Sequence, residues 1–309
     1  MFVKDTKTGN EVYLEFLRST CGEHPIVAVE NDLGAATTMV FGQECPDRRL
    51  ECGIAEGNSI TVSASLSEAG FIPFVHSMTP FITRRAYDQI VISAAYSKQS
   101  VKILGSNPGI YSEMNGGTHL SIEDAGIMRN VPDLITVSAA DNVAFKAFLE
   151  MCLETPGNIY VRFYNKLPNM VYEEGQKFEF GKANLLREGK DVTIFANDLM
   201  VSFSIEAAKL LAQEGIEATV YDMHTIKPID KGVILEAAGR GPIVTAENHS
   251  VVNGLGSAVA EVLADAGAGV KLRRIGIQDR FGIVGTLDFI AEELGMRPQD
   301  IAAAAKSLL

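Results

Sequence analysis

Short, continuously apolar segments alternate with helix-length segments along most of this chain. In the first half, the strand-like segments are residues 26–32, 71–75, 101–105, 135–140 and 158–163. The helix-like segments there are residues 11–21, 59–69, 82–97 and 143–153. Strands that are apolar throughout are typical of a parallel sheet covered on both faces, since a sheet with one wet face alternates apolar and polar residues. The first half therefore predicts an α/β domain.

A second series of the same kind begins after a change in composition. Residues 164–190 are rich in charge, glycine and turn formers, and apolar strand-like segments resume at 191–196, 216–223, 242–247 and 270–277. A chain of 309 residues has the length of about two domains. We predict two domains, each a mostly parallel sheet with helices on both faces, at residues 1–168 and 189–309, joined by a linker at 169–188.

Composition excludes several functional classes. The chain has 27 Lys+Arg and 39 Asp+Glu, and the resulting net charge of −12 disfavours binding to nucleic acid or to an anionic membrane. No signal-like start and no run of 18 apolar residues is present, so we predict a cytoplasmic protein. The 4 cysteines show no CxxC spacing and the 5 histidines are scattered, so we predict reduced, buried thiols and no zinc site.

Common catalytic and nucleotide-binding motifs are weak or missing. Residues 253–263 match GxGxxG at Gly254 and Gly256, but Val259 stands where the third glycine belongs, which favours close helix packing over a dinucleotide site. Neither a Walker motif nor a GxSxG elbow occurs. Glu247 and His249 follow a strand, where α/β sheets bind ligands, but a domain interface explains them equally well.

Two stretches carry residues that could take part in catalysis or binding. Residues 53–88 place Glu56 at the start of an apolar helix and then bring Phe81 and two arginines. Glu56 is either an acid that caps the helix through its dipole or a working carboxylate. Residues 105–126 form a glycine-rich loop that leaves a strand and delivers His119 just before a helix. That histidine is either solvent-exposed or an acid–base group.

Six ordered segments carry a family resemblance. They are residues 32–38, 49–58, 73–90, 116–134, 220–230 and 244–259. Together they resemble the C-terminal half of transketolase-type thiamine diphosphate enzymes, including the 1-deoxyxylulose-5-phosphate synthases. Nearly the whole chain is covered, and it is similar to the separately encoded C-terminal subunit of a split transketolase. The resemblance implies a pyrimidine-binding domain followed by the family's C-terminal domain.

The resemblance also implies cofactor-binding roles. In the family, the glutamate of GIxEQN bonds to N1′ of the cofactor's aminopyrimidine and promotes loss of the thiazolium C2 proton, and Glu56 holds that position. Phe81 corresponds to the aromatic that stacks on the pyrimidine. Arg84 corresponds to an arginine near that ring in the deoxyxylulose branch, with a surface ion pair as the alternative. Asp32 corresponds to an acid near the thiazolium, with an Asx-turn cap as the alternative.

On the substrate side, the resemblance implies that His119, the histidine of GxTH, contacts the reacting carbonyl or hydroxyl of the sugar. Three positions depart from the family. Gly57 replaces the glutamine of GIxEQN, Asn115 replaces the acid that touches a donor hydroxyl, and Tyr164 replaces a phosphate-binding arginine. We expect Asn115 to share the substrate hydroxyls with His119. The missing arginine argues against a standard sugar-phosphate acceptor unless Arg84, Arg85, Lys166 or a partner supplies the charge; a sulfonated or neutral sugar remains open.

The chain contains no GDG, the motif with which the family's other half holds Mg²⁺ and the diphosphate. The resemblance therefore implies an N-terminal diphosphate-binding partner subunit that holds Mg²⁺, an active site between chains, and an α2β2 assembly. The predicted reaction transfers a two-carbon ketol unit from a ketose to an aldose. The alternatives are a non-catalytic stabilising or regulatory partner and the β subunit of a 2-oxoacid decarboxylase or dehydrogenase. The identity of the sugar is left open.

Overall fold

The strands and helices come from a computed structural model that describes residues 3–33 and 36–309, with the backbone alone at 36 and 37. Residues 34 and 35, which belong to the segment 32–38, lie outside the described residues. The strands of the first half are β1 Ile26–Glu30, β2 Arg49–Glu51, β3 Ile72–Met78, β4 Lys102–Ser106, β5 Ile135–Ser138 and β6 Ile159–Phe163. Those of the second half are β7 Asn184–Arg187, β8 Val192–Ala196, β9 Ala218–Asp222, β10 Thr225–Lys227, β11 Ile243–Ser250 and β12 Leu272–Ile277.

Helices separate most of these strands. The first six are α1 Gly9–Thr20, α2 Ala36–Glu44, α3 Glu56–Glu68, α4 Tyr87–Gln89, α5 Asp124–Arg129 and α6 Asn142–Glu154. The other five are α7 Leu199–Gln213, α8 Lys231–Arg240, α9 Leu255–Asp265, α10 Leu287–Glu293 and α11 Pro298–Lys306. None of the described helices is long and apolar enough to cross a membrane.

The strands form two sheets. The first has 7 strands in the order β10-β5-β6-β4-β3-β1-β2, and the second has 5 in the order β12-β11-β8-β9-β7. All neighbouring strands are parallel except β10 beside β5 and β7 beside β9. Every residue of β1, β4, β6, β8 and β9 is buried. These observations confirm the predicted fold class of two mostly parallel α/β sheets.

Apolar side chains cover both faces of the first sheet. On one face, Phe16 of α1 packs edge-on against Phe74 at 5.1 Å, and Phe145 of α6 stacks on Phe163 at 4.2 Å. On the other face, Ile60 of α3 belongs to a separate buried cluster. Burial of a side chain of this size stabilises a fold by about 1.5–3 kcal/mol. The two apolar layers therefore hold the strand ends of this sheet in fixed positions.

Some local details differ from the sequence predictions. The helix predicted from residue 59 begins at Glu56, and the helix predicted at 82–97 consists of π-helical turns at Phe81–Arg85 and Ile90–Tyr96 around the short α4. β7 lies within the predicted linker and β10 adds to the first sheet. Cys152 is buried, whereas the other three cysteines are partly exposed.

Candidate active site

Glu56 lies in the first turn of α3, and its carboxylate is directed towards the end of β3. Its side chain is 2% exposed. Oε1 accepts a hydrogen bond from Ser77 Oγ at 3.2 Å, and Oε2 accepts one from Arg85 Nη1 at 2.8 Å. The N-cap residue, Ala55, has no capping side chain, and both Glu56 oxygens bond to groups outside the helix. The carboxylate is therefore a buried, ion-paired group, and its oxygens do not cap α3.

Phe81 lies between Arg85 and His119. The guanidinium carbon of Arg85 lies 4.2 Å from the centroid of the Phe81 ring, close enough for a cation–π contact. The His119 ring meets the Phe81 ring edge-on, with centroids 5.1 Å apart. Glu56, Phe81 and His119, which are predicted to share one site, are thus connected through Arg85 and the phenyl ring.

Arg84 forms a partly exposed ion pair with Glu123. Its guanidinium donates to Glu123 Oε1 at 2.9 Å and to the Thr118 carbonyl at 3.0 Å. The arginine over the phenyl ring is Arg85, which sequence reasoning did not choose as a cofactor residue. Both arginines lie on the π-helical turn Phe81–Arg85. Arg85 follows Phe81 by four positions, a spacing at which helical side chains are neighbours.

His119 and Asn115 belong to the loop of residues 107–126, which contains a 3₁₀ segment, Gly109–Asn115. His119 is half-buried, and its Nδ1 lies 2.9 Å from Thr118 Oγ1. Asn115 is exposed at the end of the 3₁₀ segment. Because Arg84 holds the carbonyl of Thr118, it fixes the backbone beside His119 rather than contacting the phenyl ring.

Asp32 is exposed at the end of β1, with a φ of 51°. Glu51 Oε1 accepts hydrogen bonds from the backbone N–H of Asp32 at 2.8 Å and of Gly53 at 3.0 Å. Within residues 3–33 and 36–309, Asp32 forms no hydrogen bond or ion pair with Glu56 or His119. The link between Asp32 and the Glu56 segment therefore runs through the Glu51 carboxylate.

Two of the three departures from the family, Gly57 and Tyr164, have local structural reasons. A Cβ at position 57 would lie 2.9 Å from Gln89 Oε1, so glycine allows Gln89 to lie against α3. The Tyr164 ring is stacked on the Tyr111 ring, with centroids 3.8 Å apart. Tyr164 therefore packs against another side chain and does not take the place of an anion-binding arginine.

The cations near the end of β6 already have partners. Arg162 is fully buried and donates to Asp124 Oδ2 at 2.6 Å and to Ser138 Oγ at 3.1 Å. The Lys166 ammonium is ion-paired with Glu113. Neither cation replaces the phosphate-binding arginine that the family has at position 164. The candidate site therefore has less positive charge available for an anion than the family's site has.

Glu247 and His249 of β11 have different roles, since Glu247 binds a helix of its own domain and His249 contacts the first domain. Glu247 accepts hydrogen bonds from the backbone N–H of Leu255 at 2.7 Å and of Gly256 at 2.9 Å, which caps α9. Burial raises the pKa of Glu247 to about 7. His249 Nε2 accepts a hydrogen bond from the Gly126 N–H at 3.1 Å, and burial lowers the pKa of His249, which keeps that nitrogen free as an acceptor.

The glycine-rich stretch after β11 serves helix packing. A Cβ at Gly254 would lie 1.9 Å from Glu247 Oε2, and one at Gly256 would lie 2.8 Å from Thr245 Oγ1. In the part of the chain that the structure describes, no group of three or more His, Cys, Asp or Glu side chains is arranged to hold a metal ion.

Comparisons with known proteins agree over the whole chain. The pyrimidine-binding domain of transketolase matches residues 11–169, and the transketolase C-terminal domain matches residues 181–301. The 6-deoxy-6-sulfo-D-fructose transketolase subunit SqwH of Clostridium sp. (strain MSTE9) is 44% identical over 282 residues, covering 91% of this chain and 87% of that subunit. An apulose-4-phosphate transketolase subunit from Phocaeicola vulgatus is 34% identical, covering 97% of this chain and 95% of that protein.

A 1-deoxy-D-xylulose-5-phosphate synthase from Heliobacterium modesticaldum is 34% identical over 94% of this chain, which spans 45% of that enzyme. Among solved structures, a chain described as a split gene transketolase, inactive β4 tetramer, superimposes with a TM-score of 0.91 at 37% identity. The match covers 98% of both chains.

Proposed function

Because the chain belongs to the transketolase family and carries its pyrimidine-binding and C-terminal domains, we propose that it is the C-terminal subunit of a split, thiamine diphosphate-dependent transketolase. The proposed enzyme transfers a two-carbon ketol unit from a ketose to an aldose. This chain would supply the pyrimidine-binding half of the active site.

The observation that carries this proposal is the position of the Arg85 guanidinium. It is a flat, nitrogen-bearing group that hydrogen-bonds Glu56 at 2.8 Å and lies 4.2 Å from the Phe81 centroid. An aminopyrimidine ring is also flat and would lie against Phe81 in the same way, with its N1′ accepting a hydrogen bond from a proton on Glu56 where Arg85 now donates one. The space between Glu56 and Phe81 therefore suits such a ring, and Arg85, at 46% exposure, has solvent into which it can withdraw.

When bound, thiamine diphosphate supplies the nucleophilic carbon that adds to the ketose carbonyl and carries the two-carbon unit. Glu56 would hold a proton against N1′ of the pyrimidine, as a general acid–base group. Its 2% exposure excludes water from that hydrogen bond, and Ser77 fixes the orientation of Oε1. Phe81 would supply the flat face for the ring.

On the substrate side, His119 would contact the carbonyl or hydroxyl oxygen of the sugar. Its edge-on contact with Phe81 places it next to the proposed pyrimidine site. Asn115 carries both a donor and an acceptor, so it can bond to a sugar hydroxyl in either direction. Asp32 and Arg84 remain proposed contributors at the edge of the site.

The diphosphate end of the cofactor requires a second chain. No GDG occurs in the sequence, and the described residues contain no metal-binding group of three or more acids, cysteines or histidines. We propose that an N-terminal subunit holds Mg²⁺ and the diphosphate in an α2β2 assembly. The description of the similar solved chain as an inactive β4 tetramer is consistent with a protein whose active site is incomplete.

For the substrate, we propose a small sugar with a terminal sulfonate. The relative with 44% identity is a 6-deoxy-6-sulfo-D-fructose transketolase subunit. A sulfonate carries one negative charge, whereas a phosphate monoester carries about 1.5 to 2 at neutral pH, so a site with Tyr164 in place of arginine suits the sulfonate better. We expect a higher kcat/KM for 6-deoxy-6-sulfofructose than for fructose 6-phosphate, and weak inhibition by inorganic phosphate. A preference for the phosphate ester would contradict the assignment.

Reconstitution tests the function itself. This chain and its diphosphate-binding partner, each purified alone, should show no ketol transfer, and their mixture should gain activity that saturates at equal amounts. A partner that is fully active alone would instead assign this chain a stabilising or regulatory role. Decarboxylation of a 2-oxoacid such as pyruvate, without ketol transfer, would support the 2-oxoacid enzyme class.

A further inference from the structure

A short segment of the second domain contacts both ends of the His119 loop. The segment is Asn248, His249 and Ser250 at the end of β11, and the loop is residues 107–126 of the first domain. We propose that Asn248 is a positioning residue, which holds this loop so that His119 faces the cofactor and substrate. The inference rests on the proposed function, because it assumes that His119 contacts the sugar.

Asn248 binds the start of the loop with both ends of its amide. Its Oδ1 accepts a hydrogen bond from the Ile110 N–H at 2.8 Å, and its Nδ2 donates to the Pro108 carbonyl at 3.0 Å. The residue between them, Gly109, has a φ of 53°, and a Cβ there would lie 2.1 Å from Asn248 Oδ1. The backbone therefore approaches the amide more closely than any larger residue would allow.

Two further buried residues hold Asn248 in place. The side-chain Nδ2 of Asn248 donates to Asp198 Oδ2 at 3.3 Å, and the backbone carbonyl of Asn248 accepts a hydrogen bond from Arg162 Nη2 at 2.8 Å. All three residues are fully or almost fully buried. Buried groups of this kind leave an unsatisfied donor or acceptor when one partner is removed, so the orientation of the amide is strongly determined.

The next two residues bind the end of the loop. The Ser250 N–H donates to the Ile122 carbonyl at 2.8 Å, and His249 Nε2 accepts from the Gly126 N–H at 3.1 Å. His119 lies between these two anchored ends. Glu56 and Phe81 lie on α3 and on the π-helical turn, outside the loop. Loss of Asn248 should therefore disturb the substrate side of the site and leave the pyrimidine side in place.

A purely structural role for Asn248 would lower stability without changing the kinetics of the folded enzyme. The two roles are separated with Asn248→Ala and a matched control, Ser202→Ala. The control removes a buried hydrogen bond from Asn169 Nδ2 to Ser202 Oγ at 2.9 Å, between the linker region and the second domain, and Ser202 does not hydrogen-bond the loop. Asn248→Ser keeps a small polar side chain and adds no charge beside Asp198, so it serves if the alanine variant does not fold.

Two measurements are made on each variant. Hydrogen–deuterium exchange of the chain should speed up about tenfold or more at residues 107–126 in the Asn248 variants, with α3 unchanged, and Ser202→Ala should leave the loop as in the wild type. In the reconstituted enzyme, with 6-deoxy-6-sulfofructose as the donor, KM for the sugar should rise about tenfold or more. The thiamine diphosphate concentration for half-maximal activity should stay within about twofold of the wild type.

The outcomes separate the two proposals. A wild-type assembly that transfers no ketol unit from either 6-deoxy-6-sulfofructose or fructose 6-phosphate overturns the proposed function. An active wild-type assembly, with an Asn248 variant that has normal loop exchange and normal kinetics, overturns the positioning role. Faster loop exchange with unchanged KM and kcat also overturns it, because the loop would then be held for stability alone.

Discussion

At the residue scale, the site depends on a carboxylate that is almost completely buried and paired with a partly exposed arginine. Glu56 is 2% exposed and Arg85 is 46% exposed. Removing the arginine leaves a buried carboxylate without its charged donor, a change that costs more than loss of a surface ion pair. Arg84, the adjacent residue, pairs with a more exposed acid, Glu123.

We expect Arg85→Met to lower the free energy of unfolding of the isolated chain by about 1–2 kcal/mol, since the pair lies between fully exposed and fully buried. Adding Glu56→Gln should recover part of this loss, with a coupling of about 1 kcal/mol. Arg84→Met is the control and should cost less than about 1 kcal/mol. Denaturant unfolding of the wild type, the three single variants and the double variant measures these values. If the losses of free energy in Arg85→Met and Glu56→Gln add up to the loss in the double variant, the ion pair contributes no coupling energy.

At the element scale, the two arginines of the Phe81–Arg85 turn have separate partners. The sequence pattern predicts a helix here, and the family resemblance singles out Arg84 as the arginine near the cofactor's pyrimidine. In the structure, Arg85 lies over the Phe81 ring and Arg84 is ion-paired with Glu123. Residues three and four positions apart are both neighbours on a helix, so the spacing from Phe81 does not distinguish the two arginines. The strand β10 is equally hard to predict, because three residues are too few to show the two-residue alternation of a strand.

The N-terminus of α9 provides a pH-dependent test. Glu247 caps that helix, and burial raises its pKa from 4.5 to about 7. Because the folded state keeps the proton that the unfolded state has lost, the stabilising contribution is complete below pH 4.5 and is lost as the pH rises towards 7. The loss over this window is about 3 kcal/mol.

We therefore expect Glu247→Gln to reduce the fall in unfolding free energy between pH 5 and pH 8. Glu261→Gln is the control: its hydrogen bond to Arg129 lowers the pKa of Glu261, so that acid is ionised throughout this range and the pH dependence should stay as in the wild type. Denaturant unfolding at both pH values measures the difference. An unchanged pH dependence in Glu247→Gln would show that Glu247 is ionised when buried, satisfied by its two backbone donors.

At the scale of the whole molecule, the fold was predictable because buried parallel strands leave a strong apolar pattern. The family resemblance implied one site for Glu56, Phe81 and His119, and the structure links the three through Arg85 and the phenyl ring, while their chemical roles remain predictions. Contacts between distant segments were not predictable. Asn248 and Ile110 are 138 residues apart, and an isolated asparagine in a strand carries no sign of its partner. Arg162 lies on the predicted strand 158–163, but the sequence does not indicate that its ion-pair partners, Asp124 and Asp198, come one from each domain.

The proposed division of the site between two chains predicts how this chain behaves in isolation. The sequence has no GDG motif, and the described residues include no metal-binding group of three or more His, Cys, Asp or Glu. On the proposed function, the chain would bind the pyrimidine end of the cofactor only. We expect calorimetry to detect no saturable binding of thiamine diphosphate and Mg²⁺ to this chain alone, and clear binding once the partner subunit is added. Tight Mg²⁺-dependent binding by the isolated chain would contradict the shared site.

We propose that Glu56 exchanges a proton with the cofactor's pyrimidine in the assembled enzyme. The most direct measurement is the rate at which the C2 proton of bound thiamine diphosphate exchanges with deuterium, followed by NMR after acid quench. Glu56→Gln, which keeps the size of the side chain, should slow this exchange by about a hundredfold or more, whereas Ser77→Ala, which keeps the carboxylate, should slow it much less. A Glu56→Gln enzyme that binds cofactor and exchanges the proton at the wild-type rate would contradict the account.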